Sequence, residues 1–155
     1  MRRPEANRRR ATIGAALLAL LGCAGDMDQA AETAPAGALP ESVLGTIWEW
    51  IGTVTPVERF TVAEPSRYTI TLNADGSVAA LFDCNRGRGS YEAAGHRIQF
   101  GPFASTRMAC PEDTQDFQFI SQLERVTSYF VQDGQLFLEA PYDSGTMRFR
   151  AANSR

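Results

Sequence analysis

Beyond residue 44 the chain is a succession of short apolar runs in which apolar and polar positions alternate. Tyr68, Ile70 and Leu72 fall on one face with Thr69 and Thr71 on the other, and Met147 and Phe149 alternate with Arg148 and Arg150. A period of two sends successive side chains to opposite faces of a strand, so these runs read as half-buried strands of a sheet solvated on one side. The pattern predicts strands over 46–51, 68–73, 77–82, 89–93, 97–100, 127–132, 135–139 and 146–150. Asn73-Ala74-Asp75-Gly76, Ala94-Gly95 and Asp133-Gly134 lie between them and favour antiparallel hairpins. One segment breaks the alternation. After Pro111, the acids Glu112, Asp113 and Asp116 load a first turn with negative charge, and Phe119, Ile120, Leu123 and Val126 recur at helical spacing. This predicts one amphipathic helix over about 111–126. The expected fold class is α+β: a compact curled antiparallel β-sheet or partial barrel, with the helix covering one side or closing one end.

The first 43 residues have a different texture. Arg2, Arg3, Arg8, Arg9 and Arg10 precede residues 11–22, whose only polar member is Thr12. A basic start followed by a short apolar run is the layout of an export signal. As a helix the run would reach only about 18 Å, too short for a hydrocarbon core of about 30 Å. It ends in Leu20-Leu21-Gly22-Cys23, which resembles the lipobox of bacterial lipoproteins, although Leu21 is bulkier than the usual residue there. That resemblance implies removal of residues 1–22 and diacylation of Cys23, the lipid attachment site. Two acyl chains hold a protein stably on a bilayer where one does so only marginally. Ala24 stands where inner-membrane lipoproteins commonly carry aspartate, which implies an outer-membrane lipoprotein facing the periplasm. Residues 23–43 are rich in Ala, Gly, Pro and acid, lack the apolar surface to offset ordering entropy, and read as a flexible tether. The folded domain is then expected over 44–151, with a tail at 152–155.

Composition sharpens this division. The chain has 155 residues with fifteen cations against eighteen acids, and every cation is Arg. Without its signal it would carry ten cations and seventeen acids, so a nucleic-acid partner is disfavoured.

Several stretches together carry a family resemblance. Trp48 follows Gly45-Thr46; Asp83-Cys84-Asn85 precedes Gly89-Ser90-Tyr91; and Thr106-Arg107-Met108-Ala109-Cys110 leads into the acidic segment before Leu123. Gly134-Gln135-Leu136-Phe137-Leu138 follows. This order is similar to the META domain, the family of HslJ-like heat-shock lipoproteins. Asp83 departs from it, standing where the family usually has Gly before Cys-Asn, and residues 54–67 are longer and more irregular than usual. The resemblance implies a compact antiparallel sheet or partial barrel with one helix, exported and linked to envelope stress or antibiotic tolerance. It implies no catalytic residues.

With Cys23 assigned to lipid, Cys84 and Cys110 remain in an oxidising compartment, and a structural disulfide is the simplest account. Closing a loop of 26 residues would stabilise the fold by about 3 kcal/mol. A redox pair would favour the closer Cys-x-x-Cys spacing, although Cys110 precedes a predicted helix, which would lower its pKa. His96, the only histidine, lies in a predicted turn, which makes a Cys84/His96 dyad the weaker reading. One His and two Cys cannot supply four zinc ligands without carboxylates, and no cofactor or metal is expected. Gly87-Arg88-Gly89 resembles a phosphate loop only superficially, because Glu92 occupies its third glycine position. Trp48 and Trp50 share one side of a strand and read as core before they read as a ligand platform.

Charge is divided within the domain. From 84 to 110 the charges are Arg86, Arg88, Arg97 and Arg107 against Glu92; from 111 to 143 seven acids face Arg125. The plain reading is solvated faces. The sharper one is an anionic-ligand surface on Arg86, Arg88 and Arg107. Asn85, Tyr91 and Thr106 are expected to define the fold, with Asn85 and Thr106 hydrogen-bonding backbone at a strand end and before the helix. The expected function is a non-enzymatic, lipid-anchored envelope protein with a binding or structural role toward an envelope polymer. The alternative is a periplasm-facing inhibitor, chaperone or pilot of a protein partner, which a protruding loop with an exposed anchor within 54–67 would favour.

Overall fold

A computed structural model describes residues 39–153. Cys23, the basic start and the tether up to residue 38 lie outside the described residues. The elements are β1 (Ile47–Val54), β2 (Arg59–Thr61), β3 (Tyr68–Leu72), β4 (Ser77–Phe82), β5 (Asn85–Ala94), β6 (Arg97–Phe100), β7 (Ala104–Ser105), α1 (Asp116–Leu123), β8 (Ser128–Gln132), β9 (Gln135–Glu139) and β10 (Thr146–Ala151). Neighbours run β10-β9-β8-β6-β5-β4-β3-β1, and β10 pairs again with β1, so eight antiparallel strands close on themselves. The closing pair is long, running from Trp48 opposite Ala151 to Val54 opposite Thr146. The contact between β6 and β8 is brief: Arg97 faces Ser128, and the Tyr129 amide donates to the His96 carbonyl at 2.9 Å. Two short strands lie outside the ring. β2 pairs with β1 beyond the stretch that β3 covers, and β7 pairs with β5.

The expected α+β class, with an open or partly closed sheet, is therefore corrected: this is a closed eight-stranded antiparallel β-barrel, mostly β, with one short helix. Period-two patterning fixes which face of each strand is buried, but it is the same for an open sheet and for one whose first and last strands pair. The helix is also shorter than 111–126. Residues before it form a turn, with the Thr114 amide donating to the Pro111 carbonyl at 3.1 Å and the Gln115 amide to the Tyr68 hydroxyl at 2.8 Å. Beyond Leu123 the Arg125 and Val126 amides bond back three residues, which tightens the last turn and stops the helix.

The core explains why one eight-residue helix suffices. Phe119 and Leu123 of α1 are fully buried. The Phe119 ring stacks on Trp50 at 5.0 Å and meets Tyr68 and Phe82 edge-on, each at 5.8 Å. One helical side chain thus fastens three strands, and truncating such a ring costs about 3–5 kcal/mol. Trp48 and Trp50 are both buried; their indole N–H groups donate to the Val43 carbonyl at 3.0 Å and to Thr53 Oγ1 at 3.2 Å. They are core residues with satisfied polar tips, not a stacking platform. Among the described residues no helix is long and apolar enough to cross a membrane.

Candidate functional site

The residues singled out around Cys84 and Cys110 converge where β4 turns into β5. Asp83 takes a left-handed conformation there, with φ 60°. Glycine does this at least cost, and Asp is among the few residues that adopt it alone. Its side chain adds a brace that glycine lacks. Arg67 donates from Nε to Oδ1 at 2.6 Å and from Nη2 to Oδ2 at 2.7 Å, a bidentate pair on a buried carboxylate. Arg67 also reaches Glu64 and Asp113. The guanidinium bonds hold the Asp83 carboxyl below the usual carboxylate range against the opposing effect of burial, and they raise Arg67 further above its ordinary value. The departure at position 83 is thus coupled to Arg67 from the irregular 54–67 segment.

Cys84 and Cys110 form a disulfide with Cα atoms 5.6 Å apart, tying this turn to the segment before α1. Cys84 accordingly has no free thiolate to pair with His96, which sits in the β5–β6 turn. Beside the bridge, buried Asn85 works as a two-sided clamp. Its Oδ1 accepts from the Met108 amide at 2.7 Å and the Thr106 hydroxyl at 3.0 Å; its Nδ2 donates to the Met108 carbonyl at 3.3 Å and toward Cys110 Sγ at 3.1 Å. The Arg86 amide donates to Thr106 Oγ1 at 3.1 Å, and the Thr106 amide returns a bond to the Arg86 carbonyl at 3.0 Å. A side-chain amide that takes both the N–H and the C=O of one residue substitutes for a strand ladder. It extends the β5–β7 pairing across residues that form no regular strand. Tyr91 stands apart from this cluster, its hydroxyl donating to the Asn73 carbonyl at 2.7 Å and securing the β3–β4 turn.

The clamp sets what β5 presents outward. Asn85 and Gly87 point inward, so Arg86 and Arg88 emerge together on the outer wall. A Cβ on Gly87 would overlap the Phe82 ring, which gives this glycine a packing role in place of a phosphate-loop role. With Ala79, Ala104, Ser105 and Thr106 the two arginines border an open hollow of about 440 Å³. Neither has a carboxylate within ion-pair distance among the described residues. Arg107 does not line the hollow, so the three predicted arginines divide two and one. Cys23 lies outside the described residues. Among the described residues no group of three or more His, Cys, Asp or Glu is placed to hold a metal.

Sequence reading missed the Arg67–Asp83 pair, and the only available signal was a non-glycine residue at a glycine position. It also missed β7, two residues long, although Thr106 and Met108 mark where its partner strand is clamped.

A closed antiparallel barrel plugged by one helix, with a disulfide and an asparagine clamp at one strand junction, defines a class of small bridged β-barrel domains. The META domain family model matches residues 43–153, and the chain belongs to the META domain family. Its fold is similar to a protein from Burkholderia xenovorans solved by NMR, with 23% identity and a TM-score of 0.61 over 78% of this chain and 93% of that one. It is also similar to the crystal structure of a DUF4847 family protein from Bacteroides vulgatus, with 14% identity and a TM-score of 0.55 over 73% of this chain and 96% of that one. Both likenesses concern the fold alone. No curated protein matches the chain significantly.

Proposed function

We propose that this protein is a lipid-anchored component of the bacterial cell envelope, held through acylated Cys23 on the periplasmic face of the outer membrane. Its META domain acts by binding an anionic envelope polymer, without catalysis. The observation that carries the binding role is the hollow of about 440 Å³ on β5 and β7, where Arg86 and Arg88 stand without acidic partners. Uncompensated guanidiniums in a concave site favour phosphate- and carboxylate-rich ligands. The basic start, apolar run and Cys23 support the anchor. The link to envelope stress or antibiotic tolerance rests on family resemblance.

Crosslinking from the anchored protein in living cells tests the reading. Recovery of envelope polymer, diminished by Arg86→Gln/Arg88→Gln, is the expected result. Release of the protein from membranes by Cys23→Ser is expected alongside it; retention would count against the anchor. Recovery of one stoichiometric protein would instead favour a partner-blocking or chaperone role. That second reading has its own support: Val57, at the turn between β1 and β2, is 92% exposed, and Tyr142, between β9 and β10, is 99% exposed. Of the two, Tyr142 carries the support, since tyrosine is enriched among the anchors of protein interfaces and valine is not.

A further inference from the structure

A second arginine-lined concavity lies elsewhere on the barrel, where β1 is bulged between Trp50 and Gly52. It is a groove of about 600 Å³ that crosses the outer face of β1, between β2 on one side and β10 on the other. Gly52 is opposite Thr61 of β2 and Arg148 of β10; Arg59 faces Val54, two residues along. The ring of Phe60 is tilted against Trp50 of the core at 5.5 Å, which turns its neighbours Arg59 and Thr61 outward. Arg148 and Arg150 likewise alternate with buried Met147 and Phe149. Arginines from two strands that do not touch each other therefore flank one strand, across about 10 Å of sheet.

The floor between them is low for a physical reason. Gly52 has φ 150°, and a Cβ there would overlap the Phe60 carbonyl oxygen. The position is thus restricted to glycine, and no side chain rises from it into the groove. Their charges are also unevenly committed. Arg150 pairs with Glu49 at 2.9 Å, Arg148 touches only the neutral Gln135 amide at 3.4 Å, and Arg59 has no ion-pair partner among the described residues. Two uncompensated forks across a glycine floor match the several oxygens of one dianion better than a single carboxylate.

We propose that this groove is a phosphate-monoester site, with the phosphoryl oxygens held between Arg59 and Arg148 above Gly52. Ile51 and Pro65, which also line it, offer apolar surface to the organic part of the ligand. The proposal uses none of the residues of the β5 hollow and stands or falls independently of that reading. A soluble sugar phosphate and a phosphatidic-acid headgroup share this chemistry.

The test is NMR titration of the purified chain with inorganic phosphate, a hexose 6-phosphate, the same hexose without phosphate, and phosphatidylcholine vesicles with and without phosphatidic acid. Saturable shifts at the Gly52 amide and at the Arg59 and Arg148 guanidiniums are expected with phosphorylated probes only. Response to the hexose phosphate places the ligand in solution; response confined to phosphatidic-acid vesicles places it in a headgroup. Arg59→Gln/Arg148→Gln, two outward positions whose replacement should leave the core amide spectrum unchanged, is expected to weaken binding at least tenfold. Arg86→Gln/Arg88→Gln should leave it unchanged. No saturable response to any phosphorylated probe, equal binding of the bare hexose, or undiminished binding by Arg59→Gln/Arg148→Gln would overturn the assignment.

Discussion

Two turns of this barrel carry the same kind of backbone strain, one left-handed residue in the first and two in the second, and are supported in opposite ways. Between β4 and β5, Asp83 is left-handed at φ 60°; between β9 and β10, Tyr142 and Asp143 are left-handed at 58° and 53°. A non-glycine residue in this region costs of order 1–2 kcal/mol. At the first turn the cost is surrounded by compensation: the Arg67 fork, the disulfide and the Asn85 clamp. At the second the turn is held by the Ala140 amide bonding the Gly145 carbonyl at 2.9 Å and Ser144 bonding Pro141 at 3.2 Å, while Tyr142 stands clear of the surface. The first turn's strain is absorbed into a brace that positions Arg86 and Arg88. Among the described residues the Tyr142 side chain makes no hydrogen bond or aromatic contact, which makes the second turn the better place to look for a role toward something outside.

The largest effect expected of this contrast comes from the bridge. Cys84→Ser should lower unfolding free energy by about 3 kcal/mol in chemical denaturation, since it reopens the loop in the unfolded state. Reduction of the native protein should do the same, and neither should disturb the second turn. Asn85→Ala comes next. It leaves the Met108 amide and the Thr106 hydroxyl, both on exposed residues that water can reach, without their acceptor, at about 0.5–1.5 kcal/mol each. Protection of the Met108 amide from hydrogen exchange should fall with it.

The third test is pH. Because the folded Asp83 carboxyl titrates below its unfolded value, the stability it contributes is fully present above the ordinary carboxylate range and is lost as pH falls through the folded value. Asp83→Asn should therefore be less stable than the native chain at neutral pH, with the two converging in acid. Parallel curves down to low pH would remove the Arg67 fork from the account. The smallest effect belongs to the second turn. Tyr142→Gly relieves the left-handed cost but adds unfolded-state freedom, which leaves a gain of about 0.5 kcal/mol in thermal unfolding. A loss of stability there would mean that Tyr142 makes a contact the turn depends on.

Much of the barrel was legible because one face of each strand is buried. The strands expected at 77–82, 97–100 and 135–139 coincide with β4, β6 and β9, those at 68–73, 127–132 and 146–150 differ by one residue, and β1 and β5 run further than expected. Strand β5 begins at Asn85, four residues before the alternation becomes visible, because Arg86 and Arg88 are separated by glycine where an apolar side chain would ordinarily mark the inward face. Closure was not legible. It depends on β1 meeting β10 about a hundred residues later in the chain, and no local period records that. The helix was overextended because Glu112 and Asp113 look like a first helical turn, whereas Asp113 is engaged by Arg67 and the preceding residues turn. At the β5 site, Arg86 and Arg88 share a face by their spacing alone, while Arg107 follows a two-residue strand that no pattern announced. The groove over Gly52 lay beyond sequence reading altogether, since Arg59 and Arg148 come to line one groove only through register across β1.

If Arg86 and Arg88 bind an anionic polymer through charge, binding to a linear polyphosphate must depend on salt in a defined way. If the two guanidiniums each displace a counterion, the logarithm of the binding constant should fall linearly with the logarithm of salt concentration, and Arg86→Gln/Arg88→Gln should flatten that slope by about two. An identical slope and affinity in the variant would contradict the account.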